Sequence, residues 1–360
     1  MAAGIQDILS EALSKGATDI HLGVDAPPVI RIDGDLHYLT AQKPLASEDI
    51  RALAGEILTR RQVEDLDENW EVDFSFTFTA DDGSSSRFRG NCFYERGNPC
   101  MALRTIPTSI RTIGDLRLPS ALAEVTTRHR GLFLVTGPTG SGKSTTLAAL
   151  VQEINLTRSC HIVTIEDPIE YLYKSESSVI HQREVGNDTK SFAEALKRVL
   201  RQDPDVILIG EMRDLETIAA AVTAAETGHL VFATLHTQSA SQTVDRIIDV
   251  FPPHQQQQIR QQLSTVLIGV CTQQLVAVPG GGRVVATELL FASPAVRNLI
   301  REAKTSQMTS VMQTGSSLGM HTMDQDLARL VREGTLPFET ARSRCHDPKD
   351  LERLVFESPF

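Results

Sequence analysis

Gly137-Pro138-Thr139-Gly140-Ser141-Gly142-Lys143-Ser144-Thr145 is the stretch from which the rest of the chain is read. It fits the phosphate-loop pattern G-x-x-x-x-G-K-[ST] without a mismatch. Before it, Gly131 to Thr136 is a short apolar run of strand formers; after it, Thr146 to Val151 reads as a helix. Strand, glycine loop and helix together aim backbone N–H groups at a phosphate. Glycines suit the loop because it visits positive φ and must let phosphates approach. The pattern predicts an ATP site in which Lys143 reaches the β- and γ-phosphates and the Ser144 hydroxyl binds Mg²⁺.

Outward from the loop, the bulk numbers are those of a globular protein. The 360 residues suggest two or three domains, and 41% hydrophobic with 22% charged residues is ordinary for such chains. No run approaches the roughly 20 apolar residues of a membrane span. Ile5, Ile8, Leu9, Ala12 and Leu13 follow helical spacing among polar residues, so the first stretch reads as an amphipathic helix and not as a signal peptide. The net charge is −11 and no compact Lys/Arg block stands out, which argues against a sequence-independent grip on nucleic acid. Cys92, Cys100, Cys160, Cys271 and Cys345 form no C-x-x-C pair, so neither a zinc knuckle nor a disulfide framework is indicated; a reducing cytoplasm is the expected setting.

Residues 1–106 read as a small α+β domain. Short strands are expected at Ile20–Leu22 and Val29–Ile32, with a turn at Asp33-Gly34. A helix follows from Ser47, taken as its N-cap, to Leu58. Val72–Phe78 alternates apolar and polar, Asp81-Asp82-Gly83 turns it, and Arg87–Tyr94 and Met101–Arg104 complete the strands. Residues 107–119, rich in Pro and Gly punctuation, read as a linker. Beyond it, residues 120–360 open with a helix at Ser120–Thr126. Strands at His161–Ile165, Val206–Ile209 and Leu230–Ala233 then alternate with helices at Phe192–Arg201 and Leu215–Glu226. That alternation means an α/β core with a largely parallel sheet. Ile259, Leu263, Val266 and Leu267 continue a helical pattern, and the chain from about Pro294 is mostly helical.

Three further strand ends carry candidate chemistry. Val206 to Ile209 leads into Gly210-Glu211, an acid at a strand tip beside the phosphate loop, placed to orient water. Gly210 stands where an aspartate would bind metal, so Mg²⁺ falls to Ser144 and to waters. Ile162 to Ile165 leads into Glu166-Asp167-Pro168, two carboxylates that call for a nearby cation; a helix-capping Asp before proline is the alternative. Either Glu211 or Glu166 can be the general base. His236, after Phe232 to Leu235, is placed to sense the γ-phosphate or to hydrogen-bond a carboxylate. Phosphoryl transfer also needs positive charge, often an arginine from a neighbouring subunit. Arg87, Arg89, Arg96 and Arg104 on the last strands of the small domain are the candidates.

Taken together these stretches resemble the secretion and pilus-motor ATPase superfamily. Glu166-Asp167-Pro168 looks like its aspartate box, Gly210-Glu211-Met212-Arg213-Asp214 like its variant Walker B motif, and Thr234-Leu235-His236-Thr237 like its histidine box. Within the superfamily the resemblance is strongest to the type IV pilus retraction ATPases, the twitching-motility motors. Ala295 to Glu302 looks like their C-terminal signature, with Val296 for the usual isoleucine, and Ser317 to Asp324 is similar to a further family stretch. The four-cysteine zinc insertion typical of assembly and secretion ATPases has no counterpart here. The resemblance implies a RecA-like ATPase domain preceded by a PAS-like domain, a homohexameric ring, and ATP with Mg²⁺. It implies coupling to pilus depolymerisation through an inner-membrane platform protein, at the cytoplasmic face of that membrane and peripheral to it. It also implies Glu211 as catalytic acid and Arg89 and Arg104 as arginines that approach the phosphates. Gly90 departs from the family's commoner apolar residue. An accessory retraction ATPase shares every one of these motifs and is the nearest rival, followed by a related secretion or translocation ATPase. Pro294 after Ser293 marks a helix start, from which Val296, Leu299, Ile300 and Ala303 are expected to face the core. Arg297, Asn298, Arg301 and Glu302 are expected on the other face.

Overall fold

The computed structural model describes residues 4–32, 34–80, 83, 85–106 and 109–357. Asp33 of the first expected turn, Asp81 and Asp82 of the second, and Pro107 at the start of the expected linker lie outside them. The chain divides into two compact units. One runs to Ser109 and takes in Glu170–Leu172; the other comprises Ile110–Ile169 and the chain from Tyr173 onward. In the expected linker, Ile113 and Leu118 are buried in a core cluster of the second unit.

The first unit holds α1 (Ile5–Ser14), β1 (Asp19–Leu22), β2 (Val29–Ile32), β3 (Asp35–Tyr38), α2 (Ser47–Ile57), α3 (Arg60–Asn69), β4 (Glu71–Thr79), β5 (Ser85–Glu95) and β6 (Asn98–Ile106). Its strands form one antiparallel sheet in the order β3-β2-β1-β6-β5-β4. Period-two alternation puts Val72, Phe74 and Phe78 of β4 into the core with Phe88, against Ile5, Ile8 and Leu9 of α1 and Ile50 and Leu53 of α2. The edge strand β3 is exposed along its whole length. Ser47 is the first residue of α2, and not its N-cap. Ala46 holds the cap position, and its N–H donates to Asp49 Oδ2 at 2.8 Å, a local bond that leaves no cap role for the Ser47 hydroxyl.

The second unit contains α4 (Ala123–Thr126), β7 (Gly131–Thr136), α5 (Lys143–Thr157), β8 (His161–Glu166), β9 (Val179–Glu184), α6 (Phe192–Val199), β10 (Val206–Ile209) and α7 (Leu215–Glu226). There follow β11 (Leu230–Leu235), α8 (Ala240–Asp249), α9 (Pro253–Val266), β12 (Leu267–Ala277), β13 (Arg283–Phe291), α10 (Pro294–Arg301), α11 (Met308–Thr314), α12 (Met323–Arg332), α13 (Phe338–Arg342) and α14 (Pro348–Phe356). The seven-stranded sheet runs β13-β12-β7-β11-β10-β8-β9, and every pairing but β12–β13 is parallel. This is the RecA-like α/β sheet expected from the sequence, beside a small antiparallel α+β unit. Helices cover both faces, which is why the central strands read as unbroken apolar runs. Leu132, Leu134, Ile207, Ile209, Val231 and Ala233 pack on one side, toward α6 to α9. Phe133, Val135, Val206, Leu208, Leu230 and Phe232 pack on the other, against Leu147, Leu150 and Ile154 of α5. In this unit β9, α8 and the β12–β13 hairpin are additions to what the sequence led one to expect, as α3 is in the first unit. Leu267, expected to continue a helix, opens β12. Among the described residues no helix is long and apolar enough to cross a membrane.

Candidate active site

The phosphate loop leaves the end of β7 and enters α5 at Lys143. Gly137 has φ 138°, and a Cβ there would run into the Gln273 carbonyl oxygen and sit 2.7 Å from Ser141 Oγ, so only glycine fits. Gln273 of β12 braces the loop, its Nε2 donating to the Ser141 carbonyl at 2.7 Å. Ser141 Oγ and Gln273 Oε1 are both buried without a partner in the structure. Lys143 Nζ folds back over the loop and donates to the Gly137 and Pro138 carbonyls at 2.9 and 3.2 Å. Ser144 lies half-buried in the first turn of α5. A helix N-terminus leaves its first N–H groups without intrahelical partners. With the close-approach glycine and the orphaned Ser141 hydroxyl, it makes a cradle that fits phosphate, and Ser144 supplies a hard oxygen donor of the kind Mg²⁺ takes. Among the described residues no group of three His, Cys, Asp or Glu is arranged to hold a metal.

The acid of β10 is clamped. Glu211 Oε2 accepts from Arg213 Nη2 at 2.7 Å, and Glu211 Oε1 lies 3.1 Å from His236 Nε2. Burial alone would raise the Glu211 carboxyl, but the Arg213 hydrogen bond and the adjacent His236 outweigh it and hold the group below its ordinary value. Backbone geometry sets this up. Met212 N–H donates to the Thr234 carbonyl at 3.0 Å and Thr234 Oγ1 to the Gly210 carbonyl at 2.5 Å, tying the ends of β10 and β11 together. Ser239 caps α8, and Glu288 of β13 accepts from Ala240 N–H at 2.7 Å, fixing the segment after His236. Gly210 has a steric reason. A Cβ there would lie 3.2 Å from Glu166 Cα and 3.3 Å from the Ile165 carbonyl, which crowds out the aspartate a metal would use. Glu166, at the end of the adjacent strand β8, accepts from Thr164 Oγ1 at 2.6 Å and from Gln182 Nε2 at 3.3 Å. Asp167 is exposed and no helix starts after Pro168, so the capping alternative does not hold.

Type II/IV secretion system protein is the family description that matches, over residues 1–279. The chain is 47% identical to the type IV pilus retraction ATPase PilT of Pseudomonas aeruginosa, over 96% of this chain and 99% of that relative. This chain belongs to the type IV pilus retraction ATPase family. A twitching motility protein of Neisseria gonorrhoeae is 48% identical over 90% of this chain and 86% of its own length. The crystal structure of the pilus retraction motor PilT with bound ADP matches with a TM-score of 0.91 at 49% identity, covering 98% of this chain and 99% of that one.

The candidate arginines lie in the first unit. Arg89 and Arg104 stand opposite each other on β5 and β6, and Asp19 of β1 is next in the same cross-strand row. Arg104 Nε pairs with Asp19 Oδ1 at 2.7 Å, while Arg89 is exposed. Burial raises Asp19, but the Arg104 and Thr18 hydrogen bonds win and hold it below its ordinary value. Arg87 instead donates to Ser75 Oγ at 2.7 Å, and Arg96 occupies the β5–β6 turn with φ 51°. Three features of the retraction-ATPase site escaped the sequence reading. Arg213 was inside a quoted motif but its partner was not legible. Gln273 belongs to a strand that was not expected. A cavity of about 560 Å³ beside the loop, lined by Arg111, Leu116, Gly142, Thr145, Leu275 and Arg283, gathers residues scattered through the sequence.

Proposed function

We propose that this chain is a motor ATPase that couples ATP hydrolysis to type IV pilus retraction, by pilin depolymerisation, and so to twitching motility. The observation that carries the chemistry is Glu211, an acid held between Arg213 and His236 in the unit that carries an intact phosphate loop. Near-half identity over almost the full length of the Pseudomonas retraction ATPase supports the cellular role. The α5 N-terminus and Lys143 bind the phosphates, the latter by giving up its loop carbonyls. The cavity beside the loop takes the base and ribose. Bound Mg²⁺ would neutralise charge on the phosphates; Ser144 would hold it. Glu211 orients the attacking water and accepts its proton. Arg213 and His236 keep that carboxylate ionised and aimed. Arg89 and Arg104 supply positive charge to the phosphates of a neighbouring subunit in a homohexameric ring. The ring works in the cytoplasm, at the face of the inner membrane, through a platform protein and without nucleic acid.

The test is a clean deletion in the host, scored for surface pili and for twitching. Piliated, non-twitching cells are expected. Bald cells would assign assembly instead, and cells that still twitch would assign the accessory role.

A further inference from the structure

The second unit holds a cavity of about 690 Å³ at the end of the sheet away from the phosphate loop. Its floor is Gly131, the first residue of β7, with Ile268 of β12 and Phe291 at the end of β13. The loop leaves the other end of β7, about 20 Å away for a strand of this length. A ligand here therefore sits apart from the nucleotide.

Arg128, Arg130 and Arg297 line the cavity. Among the described residues none of the three makes an ion pair with a carboxylate. Arg297 gives its hydrogens to carbonyl oxygens, and burial, then the charges of Arg301 and Arg128, hold it below its ordinary value. Guanidinium groups are thus gathered on a chain of net charge −11, against the sign of its overall field. Part of the wall is apolar. Ile268 and Phe291 are joined at the rim by Leu318, a leucine left 56% exposed. Glu124 and Glu226 also face the cavity.

This mixture selects among anions. The carboxylates of Glu124 and Glu226 oppose either kind of anion, but a free phosphate compound would leave the apolar wall wet. A peptide with acids spaced by apolar side chains pairs with Arg128 and Arg130 and covers Leu318 and Phe291 together. We infer that this cavity is the docking site for an acidic, amphipathic segment of a protein partner. The inference stands without the retraction reading, because binding is read on the purified chain.

A display library of random peptides is panned against the full-length protein, and the enriched peptides are synthesised with a fluorescent label. They are expected to combine Asp or Glu with Leu, Ile or Phe, and to lose affinity as salt rises. Arg128→Glu with Arg130→Glu should weaken them roughly tenfold or more, since charge reversal acts on both steering and contact. Leu318→Ser should weaken them separately, and ATP turnover and melting temperature should stay at parent values in both variants. Enrichment of neutral or basic peptides, or binding indifferent to both variants, overturns the proposal. Displacement of the peptides by inorganic pyrophosphate as effectively as by unlabelled peptide makes this a phosphate site and overturns it too. So does a photoreactive residue at position 318 that crosslinks two copies of the chain in the absence of peptide.

Discussion

Glu211 carries the sharpest expectations at the scale of single residues. Glu211→Gln should keep ATP binding and lose phosphate release, whereas Lys143→Ala should lose both. Ligand at roughly 100 times its dissociation constant adds about 2.7 kcal/mol to stability, so ATP should still raise the melting temperature of the glutamine variant. Normal phosphate release from that variant would hand the role to Glu166. The clamp also makes a pH prediction. The Glu211 carboxyl is held below its ordinary value, so its ionised form persists as pH falls, and the stability it contributes is present above the unfolded value of 4.5 and lost only below it. Arg213→Ala removes the largest of the effects that oppose burial and leaves His236 alone against it, so the carboxyl should titrate higher than in the parent. The acid limb of the pH–rate profile should then move to higher pH; an unmoved limb would mean that the titrating group is not Glu211. Much of this site was legible in sequence because phosphate-loop chemistry is local: Gly137 to Ser144 act through consecutive backbone. The clamp was half legible. His236 bonding a carboxylate was one of two options, and only the pairing of β10 with β11 selects it.

Helix α10 shows how an element can be right in outline and orientation and still differ at single residues. Ser293 caps it and Pro294 opens it as expected, and Val296 and Ile300 are buried. Ala303 is not on its core face. It lies beyond the helix, exposed, with φ 56°. Arg297 is not a free surface residue either. Its guanidinium donates to the carbonyls of Ser264, Thr265 (2.7 Å) and Leu267 (3.0 Å), closing the C-terminal end of α9. Hydrogen bonds from a charged donor contribute about 1.5–3 kcal/mol. Arg297→Ala should therefore lower the melting temperature by several degrees, while Asn298→Ala, whose amide bonds Glu302 and Arg301 of the same segment, should not. Equal melting of the two variants in a thermal scan would refute the brace. A helical wheel could not reveal this, because a long cationic side chain can leave an exposed position and reach a neighbouring helix end. Other elements were illegible for different reasons. β9 is a polar edge strand, Val-Ile-His-Gln-Arg-Glu, with no clean alternation. β12 begins directly where α9 stops, so its first leucine also fits the preceding helical spacing. The hairpin did leave a signal in Pro279-Gly280-Gly281-Gly282, a breaker cluster between two apolar runs.

Over the whole molecule the two units invite one test of their joint role. Arg89 and Arg104 are like charges placed directly opposite, a destabilising arrangement that Asp19 offsets on one side only. Retaining it makes sense if an anion is met there. Arginine-to-alanine at either position should lower turnover on the order of 10³ or more while leaving ATP binding close to the parent. Losses under about threefold in both variants would show that the small unit does not complete the site. The architecture was legible because alternation of apolar strands and helices leaves few ways to build a sheet; what a neighbouring subunit contributes is not encoded in any local pattern. One last consequence concerns handling of the purified protein. β3 is an edge of the small sheet, with no strand on its outer side among the described residues, and Leu36 and Tyr38 on one face are 53% and 61% exposed. An open edge with an apolar face is a template for strand addition between molecules. At high concentration, aggregation of the isolated chain should start at this strand, where hydrogen exchange would first register intermolecular pairing.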